Sequence, residues 1–266
     1  MDEAERAKAA QSLAAAYLTR EPVPPLIETY DGVTLDDAYA VQQAQVEHWL
    51  VGGAVVRGHK VGLTSAAMQR QLGVDQPDFG VLRDDMFHDE FAPIPVDRFL
   101  QARIEPEVAF VLRSDLHGPG VTAADAATAV DFVLPALEII DSRIRDWKIS
   151  LVDTVADNAS SGGVVLGRTP YGCDAVDLRL MVCHLYRGDD LVAAGEGRAV
   201  LGSPLNALVW LANTLGGRGA GLRAGQVVLP GSVTAAQPVR AGDTWTARFA
   251  GLGSVTACFV EGGQHA

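Results

Sequence analysis

The sequence predicts an α+β protein in which a helical N-terminal section, residues 1–75, leads into a β-rich body, residues 76–266. Three observations carry this. Alanine-rich and well-capped stretches dominate the first part. From about residue 80 the pattern changes to short apolar segments separated by turn residues, and a pair of glycine-closed segments near the C-terminus has the spacing of a hairpin. No linker or low-complexity stretch divides the two sections.

In chain order, residues 2–19 read as a helix that Glu21-Pro22-Val23-Pro24-Pro25 stops, because proline removes a backbone donor and restricts the residue before it. Thr34, with Asp37 three residues on, caps a second helix to about Leu50, closed by Gly52-Gly53. Val55 to Leu63 reads as a short strand, and Thr64 as the cap of a small helix ending at Leu72-Gly73. Val74 to Gly80 reads as a turn. Strands are expected at 103–112, 132–140, 163–167, 180–186, 226–229, 244–249 and 254–260, the last two joined through Gly251-Leu252-Gly253. Ser203-Pro204 opens a helix to about Leu215, with proline at the first helical position and Gly216-Gly217 as the stop. The similar pieces Leu222–Gln226 and Val239–Asp243 are two like turns into strands and not a repeat architecture.

Composition narrows the function classes. With 21 basic and 33 acidic residues the chain carries a net charge of −12, so it lacks the basic footprint of a nucleic-acid binder. No apolar run is long enough to span a bilayer, and the acidic N-terminus does not resemble a secretory signal. Cys173, Cys183 and Cys258 are odd in number and widely spaced, which argues against a disulfide framework or a zinc site and for a reducing cytoplasm. Gly195-Glu196-Gly197 lacks the third glycine of a dinucleotide fingerprint, and no Gly-x-Ser-x-Gly elbow is present.

The chemistry concentrates in carboxylates. In the strand Arg103–Leu112, alternation puts Arg103, Glu105, Glu107, Ala109 and Val111 on one face and a wholly apolar set on the other. Two carboxylates side by side repel unless a positive charge lies between them. Glu138 interrupts the apolar run 132–140, where an unpartnered charge is costly. Two readings follow from the spacing. Either Glu105 and Glu107 face water while Glu138 pairs with an arginine, or the three converge on a hard divalent cation. Lys60, at the end of an apolar strand, either snorkels to solvent or sits as a cation beside the cluster; the adjacent His59 reads as structural. Asp78 lies in an apparent turn, and Asp153–Gly163 is either an ordinary loop or a site wall offering hydroxyl and amide donors.

Taken together, Gly58–Thr64, Leu72–Gly80, Arg103–Glu107, Leu134–Trp147, Val152–Ser160, Leu201–Leu211 and Gly251–Val255 resemble the 2-hydroxypenta-2,4-dienoate (2-keto-4-pentenoate) hydratase family of the fumarylacetoacetate-hydrolase superfamily. The resemblance covers nearly the whole chain from about residue 30. It implies a mixed β-roll, a cytoplasmic homo-oligomer, and Mg2+, or alternatively Mn2+, on Glu105, Glu107 and Glu138. It also implies Lys60, Asp78 and Ser160 as catalytic groups, with Lys60, Leu72 and Ser160 contacting a small anionic dienol or 2-oxo acid. The implied reaction is hydration of the dienol to 4-hydroxy-2-oxopentanoate in meta-cleavage catabolism of aromatic or steroid rings, with a downstream aldolase as a partner. The sister activity, 4-oxalocrotonate decarboxylation, and a non-catalytic role stabilising a companion enzyme are the alternatives. The segment Leu229–Thr234 departs from the threonine-glycine turn of many relatives.

Overall fold

Thirteen strands in two sheets carry the body of the protein, in a computed structural model that describes residues 1–263, apart from the side chains of Ala67, Gln71 and Leu72. The elements are α1 (Glu3–Thr19), α2 (Leu26–Thr29), α3 (Leu35–Val51), β1 (Val56–Gly62), α4 (Ala66–Leu72), β2 (Asp78–Arg83), β3 (Phe87–His88), β4 (Pro93–Pro95) and β5 (Arg103–Leu112). They continue with α5 (Ala123–Ala129), β6 (Val130–Ile140), α6 (Leu151–Ala156), β7 (Ser161–Leu166), β8 (Val182–Arg187) and β9 (Asp190–Glu196). α7 (Pro204–Gly217), β10 (Val227–Leu229), β11 (Gln237–Pro238), β12 (Thr244–Phe249) and β13 (Gly253–Val260) complete the chain.

The larger sheet runs β2-β1-β10-β5-β6-β7-β3, with β11 added on β5, and mixes parallel pairs (β1 with β10, β3 with β7) with antiparallel ones. The smaller sheet runs β4-β13-β12-β8-β9. The apolar face of β5 (Ile104, Val108, Phe110, Leu112) packs into the main core together with Val133, Leu137 and Ile139 of β6 and Trp245, Ala247 and Phe249 of β12. The opposite face of the larger sheet carries a second, smaller apolar cluster that includes Ala109, Ala136, Val164 and Leu229. This second face also bears the carboxylates.

Local chemistry explains most of the helices. Asp2 with Glu5, and Thr34 with Asp37, form capping boxes at α1 and α3. Asp37 accepts from Thr34, Arg6 and the terminal amine, and these bonds, the Thr34 hydroxyl first, hold its carboxyl well below the usual range. α1 buries Ala9, Ala10, Leu13 and Ala16. α3 turns Gln42 and Gln45 inward, where their amides donate to the carbonyls of Phe79, Val155 and Ala156. No helix among the described residues is long and apolar enough to cross a membrane.

The structure corrects several sequence expectations. Ser65, not Thr64, caps α4; its hydroxyl accepts from the Met68 amide. The turn expected at 74–80 ends at Pro77, and Asp78 already belongs to β2, paired with Gly62 of β1. Residues 151–156 form a helix, because Ser150 and Asp153 make a third capping box inside what looks like a polar loop. α5, with its own box at Thr122 and Asp125, and β9 are further elements that composition alone does not announce.

Candidate active site

The ladder between β5 and β6 places Glu105 directly opposite Glu138, while Glu107, two residues along β5, pairs with Ala136 on the same face. Oxygens of Glu105, Glu107 and Glu138 lie within 4.8 Å of one another. Glu107 does not face water, being 1% exposed, and Glu138 is 0% exposed, while Glu105 is half-buried. Glu138 has no arginine partner among the described ion pairs; its counter-charge is Lys60, whose Nζ lies 3.2 Å from Oε1.

Lys60 does not snorkel to solvent: it is 4% exposed and its ammonium donates to the Ala159 carbonyl at 2.9 Å. Burial alone would lower its pKa. Glu138, Asp78, Glu105 and Glu107 outweigh that and hold it above the ordinary lysine value. Asp78 sits in the same buried space, accepting from the Thr154 hydroxyl at 3.0 Å through Oδ2, with Oδ1 lacking a hydrogen-bond partner. Burial raises its carboxyl pKa despite the neighbouring Lys60. Gly62 makes this approach feasible: a β-carbon there would fall 2.2 Å from Asp78 Oδ1 and 3.4 Å from Lys60 Nζ. His59 occupies the other face of β1, where burial lowers its pKa to about 4 and keeps it neutral.

One ammonium cannot neutralise this many carboxylates. Burial, followed by the Glu138 charge, pushes Glu105 up to about 7, and Glu107 and Glu138 are raised for the same primary reason. Glu107 Oε2 accepts the Gly231 amide at 2.7 Å, but Glu107 Oε1 and both oxygens of Glu138 have no hydrogen bond. Lys60 approaches Glu138 as an ion pair without the alignment of a hydrogen bond. Buried, unpartnered carboxylate oxygens converging within a few ångströms are a donor set for a hard divalent cation, so the residues fit Mg2+, Mn2+ or Ca2+. Gly231 belongs to the segment Leu229–Thr234; its φ of 117° and a notional β-carbon 2.1 Å from Thr64 Oγ1 explain why only glycine serves there.

Ser160 lies in the turn that leads into β7, next to Ala159, whose carbonyl accepts from Lys60. It is buried, and its hydroxyl has no hydrogen-bond partner. Asn158, Ala159 and Ser160 all have left-handed φ values, 53°, 50° and 53°. For residues other than glycine this costs about 1–2 kcal/mol each, less at asparagine. Arg143, fully buried and paired with Asp157, lies behind the turn. The structure thus brings together Lys60, Asp78, Glu105, Glu107 and Glu138, whereas the side chain of Leu72 lies outside the described residues. Sequence reasoning missed Thr154, Gly62 and Gly231. Thr154 had a signal in the expected donor-rich wall; the two glycines had none, because their role appears only where strands approach.

The profile of the fumarylacetoacetate (FAA) hydrolase C-terminal family matches residues 51–260. A 2-keto-4-pentenoate hydratase of Paraburkholderia xenovorans (strain LB400) is 46% identical over 255 residues, covering 96% of this chain and 95% of the relative. The chain belongs to the 2-keto-4-pentenoate hydratase family. An Escherichia coli member with a longer, doubly acidic substrate name, 2-oxo-hept-4-ene-1,7-dioate hydratase, is 41% identical and matches 94% of this chain and 96% of its own length. Among solved structures, 4-oxalocrotonate decarboxylase from Pseudomonas putida G7, complexed with magnesium and adipate, superposes with a TM-score of 0.95 at 35% identity, covering 98% of this chain and 99% of that one. The same decarboxylase is also similar in its complex with calcium and acetate, at a TM-score of 0.93 and 34% identity over 98% of this chain and 99% of that one. The family's fold, a helical section with curled mixed sheets, is the one described above.

Proposed function

We propose that this chain is a divalent-metal-dependent hydro-lyase that adds water to 2-hydroxypenta-2,4-dienoate, or a close alkyl homologue, giving 4-hydroxy-2-oxopentanoate in meta-cleavage catabolism. The observation that carries the reading is the cluster of Glu105, Glu107 and Glu138, with unpartnered oxygens beside a buried lysine and a fourth carboxyl, Asp78. The family relatives named as hydratases, at 46% and 41% identity, support hydration over the chemistry of the decarboxylase at 35%. Mg2+ is the proposed physiological ion, with Mn2+ as a substitute. We further propose a cytoplasmic homo-oligomer whose product passes to an aldolase.

Glu105, Glu107 and Glu138 would hold the ion, which when bound supplies a Lewis acid to the carboxylate and 2-oxygen of the substrate and stabilises negative charge there. Lys60 holds the substrate carboxylate and offsets charge in a pocket where an acidic protein gives an anion no long-range help. Ketonisation removes the proton of the 2-hydroxyl and delivers one to C-5; hydration then adds water at C-4 and a proton at C-3. Lys60 and Asp78 are the groups placed to move these protons: Asp78 is primed to hold one on its unpartnered Oδ1, and Lys60 is charged and fixed. Ser160, whose hydroxyl lacks an internal partner, orients the attacking water.

The test is to give the purified protein with Mg2+ the dienol, or separately 4-oxalocrotonate, in heavy-oxygen water. Hydration predicts one label on the 4-hydroxyl of the product, read promptly because the keto oxygen also exchanges. Faster release of carbon dioxide from 4-oxalocrotonate than hydration of the dienol would replace the hydratase reading with the decarboxylase one.

A further inference from the structure

The three left-handed residues before β7 are held from two sides by groups that have no place in the proton chemistry. On one side, Asn158 grips the backbone of Val81 in β2: its Oδ1 accepts the Val81 amide at 2.8 Å and its Nδ2 donates to the Val81 carbonyl at 2.9 Å. The main chains press together here, since a β-carbon on Gly80 would fall 2.3 Å from the Asn158 carbonyl. On the other side, the buried Arg143 guanidinium pairs with the Asp157 carboxylate and donates to the carbonyls of Asp157 and Ser161, so it brackets the turn at both ends. The Arg143 amide donates to Asp157 Oδ2, and the Asp141 amide to the Ser160 carbonyl.

What this turn presents is the Ala159 carbonyl, the acceptor for Lys60 Nζ. An ammonium surrounded by carboxylates would otherwise be drawn toward whichever carries most charge. The carbonyl fixes it at one point, 3.2 Å from Glu138 Oε1. Asn158 ties the turn to β2, the strand that begins at Asp78 and pairs with β1, so the carbonyl that holds the lysine ammonium is referenced to the same ladder that carries the lysine and the aspartate.

We propose that Asn158 and the Arg143–Asp157 pair are positioning residues that hold the 158–160 turn left-handed so that the Ala159 carbonyl locks the Lys60 ammonium in its working place. This deepens the hydratase reading and rests on it for the kinetic part of the test. The metal carboxylates lie on β5 and β6, which the gripping bonds of Asn158 do not touch, so ion binding and turnover should separate.

Three variants test it: Asn158→Ala removes both bonds to Val81 and disfavours positive φ, Asn158→Gly removes the bonds but tolerates the turn, and Arg143→Lys keeps the charge without the fork. For Asn158→Ala we expect kcat/KM to fall about a hundredfold, through a lower kcat and a raised KM together because Lys60 also holds the substrate carboxylate, while Mg2+ affinity by calorimetry is not weakened by more than about threefold. Asn158→Gly should fall between it and the parent, and Arg143→Lys should lower kcat/KM in the same pattern. A crystal structure of Asn158→Ala should show Lys60 Nζ detached from the residue 159 carbonyl. This readout stands even if the parent hydrates no dienol, which would count against the hydratase reading alone. Should Asn158→Ala not fold, Asn158→Gly and Arg143→Lys are read in the same two ways. Parent-like kcat/KM in the folded variants, or an unchanged turn with Lys60 in place, overturns the proposal.

Discussion

Glu105 and Glu138 face each other across the β5–β6 ladder as a directly opposed pair of like charges. Such pairing destabilises a sheet by a few tenths to about 1 kcal/mol even at a surface. Here the pair is sunk beside a third carboxylate. The metal-free protein should therefore gain stability, by about 1 kcal/mol, on Glu105→Gln, which relieves the like-charge pair and leaves the Lys60–Glu138 ion pair intact, while losing Mg2+ binding and turnover. Melting curves in chelator, set beside calorimetric titration with Mg2+, check both halves. A destabilised variant that still turns over would remove the metal cluster from the account.

The same crowding sets a pH dependence. Glu105 is raised from 4.5 to about 7 in the folded, metal-free protein. Between these values the folded state keeps a proton that the unfolded chain has released, so stability falls as pH rises through this window. The chelated protein should melt at a lower temperature at pH 8 than at pH 5.5. Bound Mg2+ should reverse the trend, since the ion competes with that proton and binds more tightly as pH rises toward 7. Equal Mg2+ affinity at pH 5.5 and pH 8 would show that the carboxylates carry no such proton.

Lys60→Met removes the ammonium that Glu138 and Asp78 share. Turnover should drop by about a hundredfold or more, because both anion binding and proton placement depend on it. The metal-free fold should weaken by about 3 kcal/mol, as when one member of a buried pair is deleted. Near-parental kinetics and an unchanged denaturant midpoint would refute the assignment.

Gly231→Ala meets two obstacles, a φ of 117° and the Thr64 hydroxyl. The backbone must move, and the amide bond to Glu107 Oε2 goes with it. A loss of about 1–3 kcal/mol in stability and about tenfold in Mg2+ affinity is expected. Adding Thr64→Ser should recover little, because the hydroxyl that clashes is retained.

Strand parity puts Glu105 and Glu107 on one face, and Glu138 stands out as a charge in an apolar run, which leaves a metal site as one of two readings that only the family resemblance separates. Parity could not say whether that face met water, because this depends on how the sheet curls. Asp78 looked like a turn residue since Asp75, Gln76 and Pro77 precede it, and the strand that follows is only six residues long. α6 was hidden for a similar reason, as Ser150 and Asp153 satisfy its first amides with side chains common in loops. The left-handed turn had the weakest signal. Asn158 tolerates that conformation, but Ala159 and Ser160 do not favour it, and only tertiary bonds impose it.

All three carboxylates that would grip the ion belong to neighbouring strands, β5 and β6, whereas Lys60, Asp78 and Ser160 arrive from β1, β2 and the turn before β7. Ion capture and proton handling are thus inherited through separate stretches of chain. The two stretches meet where Lys60 approaches Glu138, so the charge of that one lysine is the point at which a change in either is felt by the other.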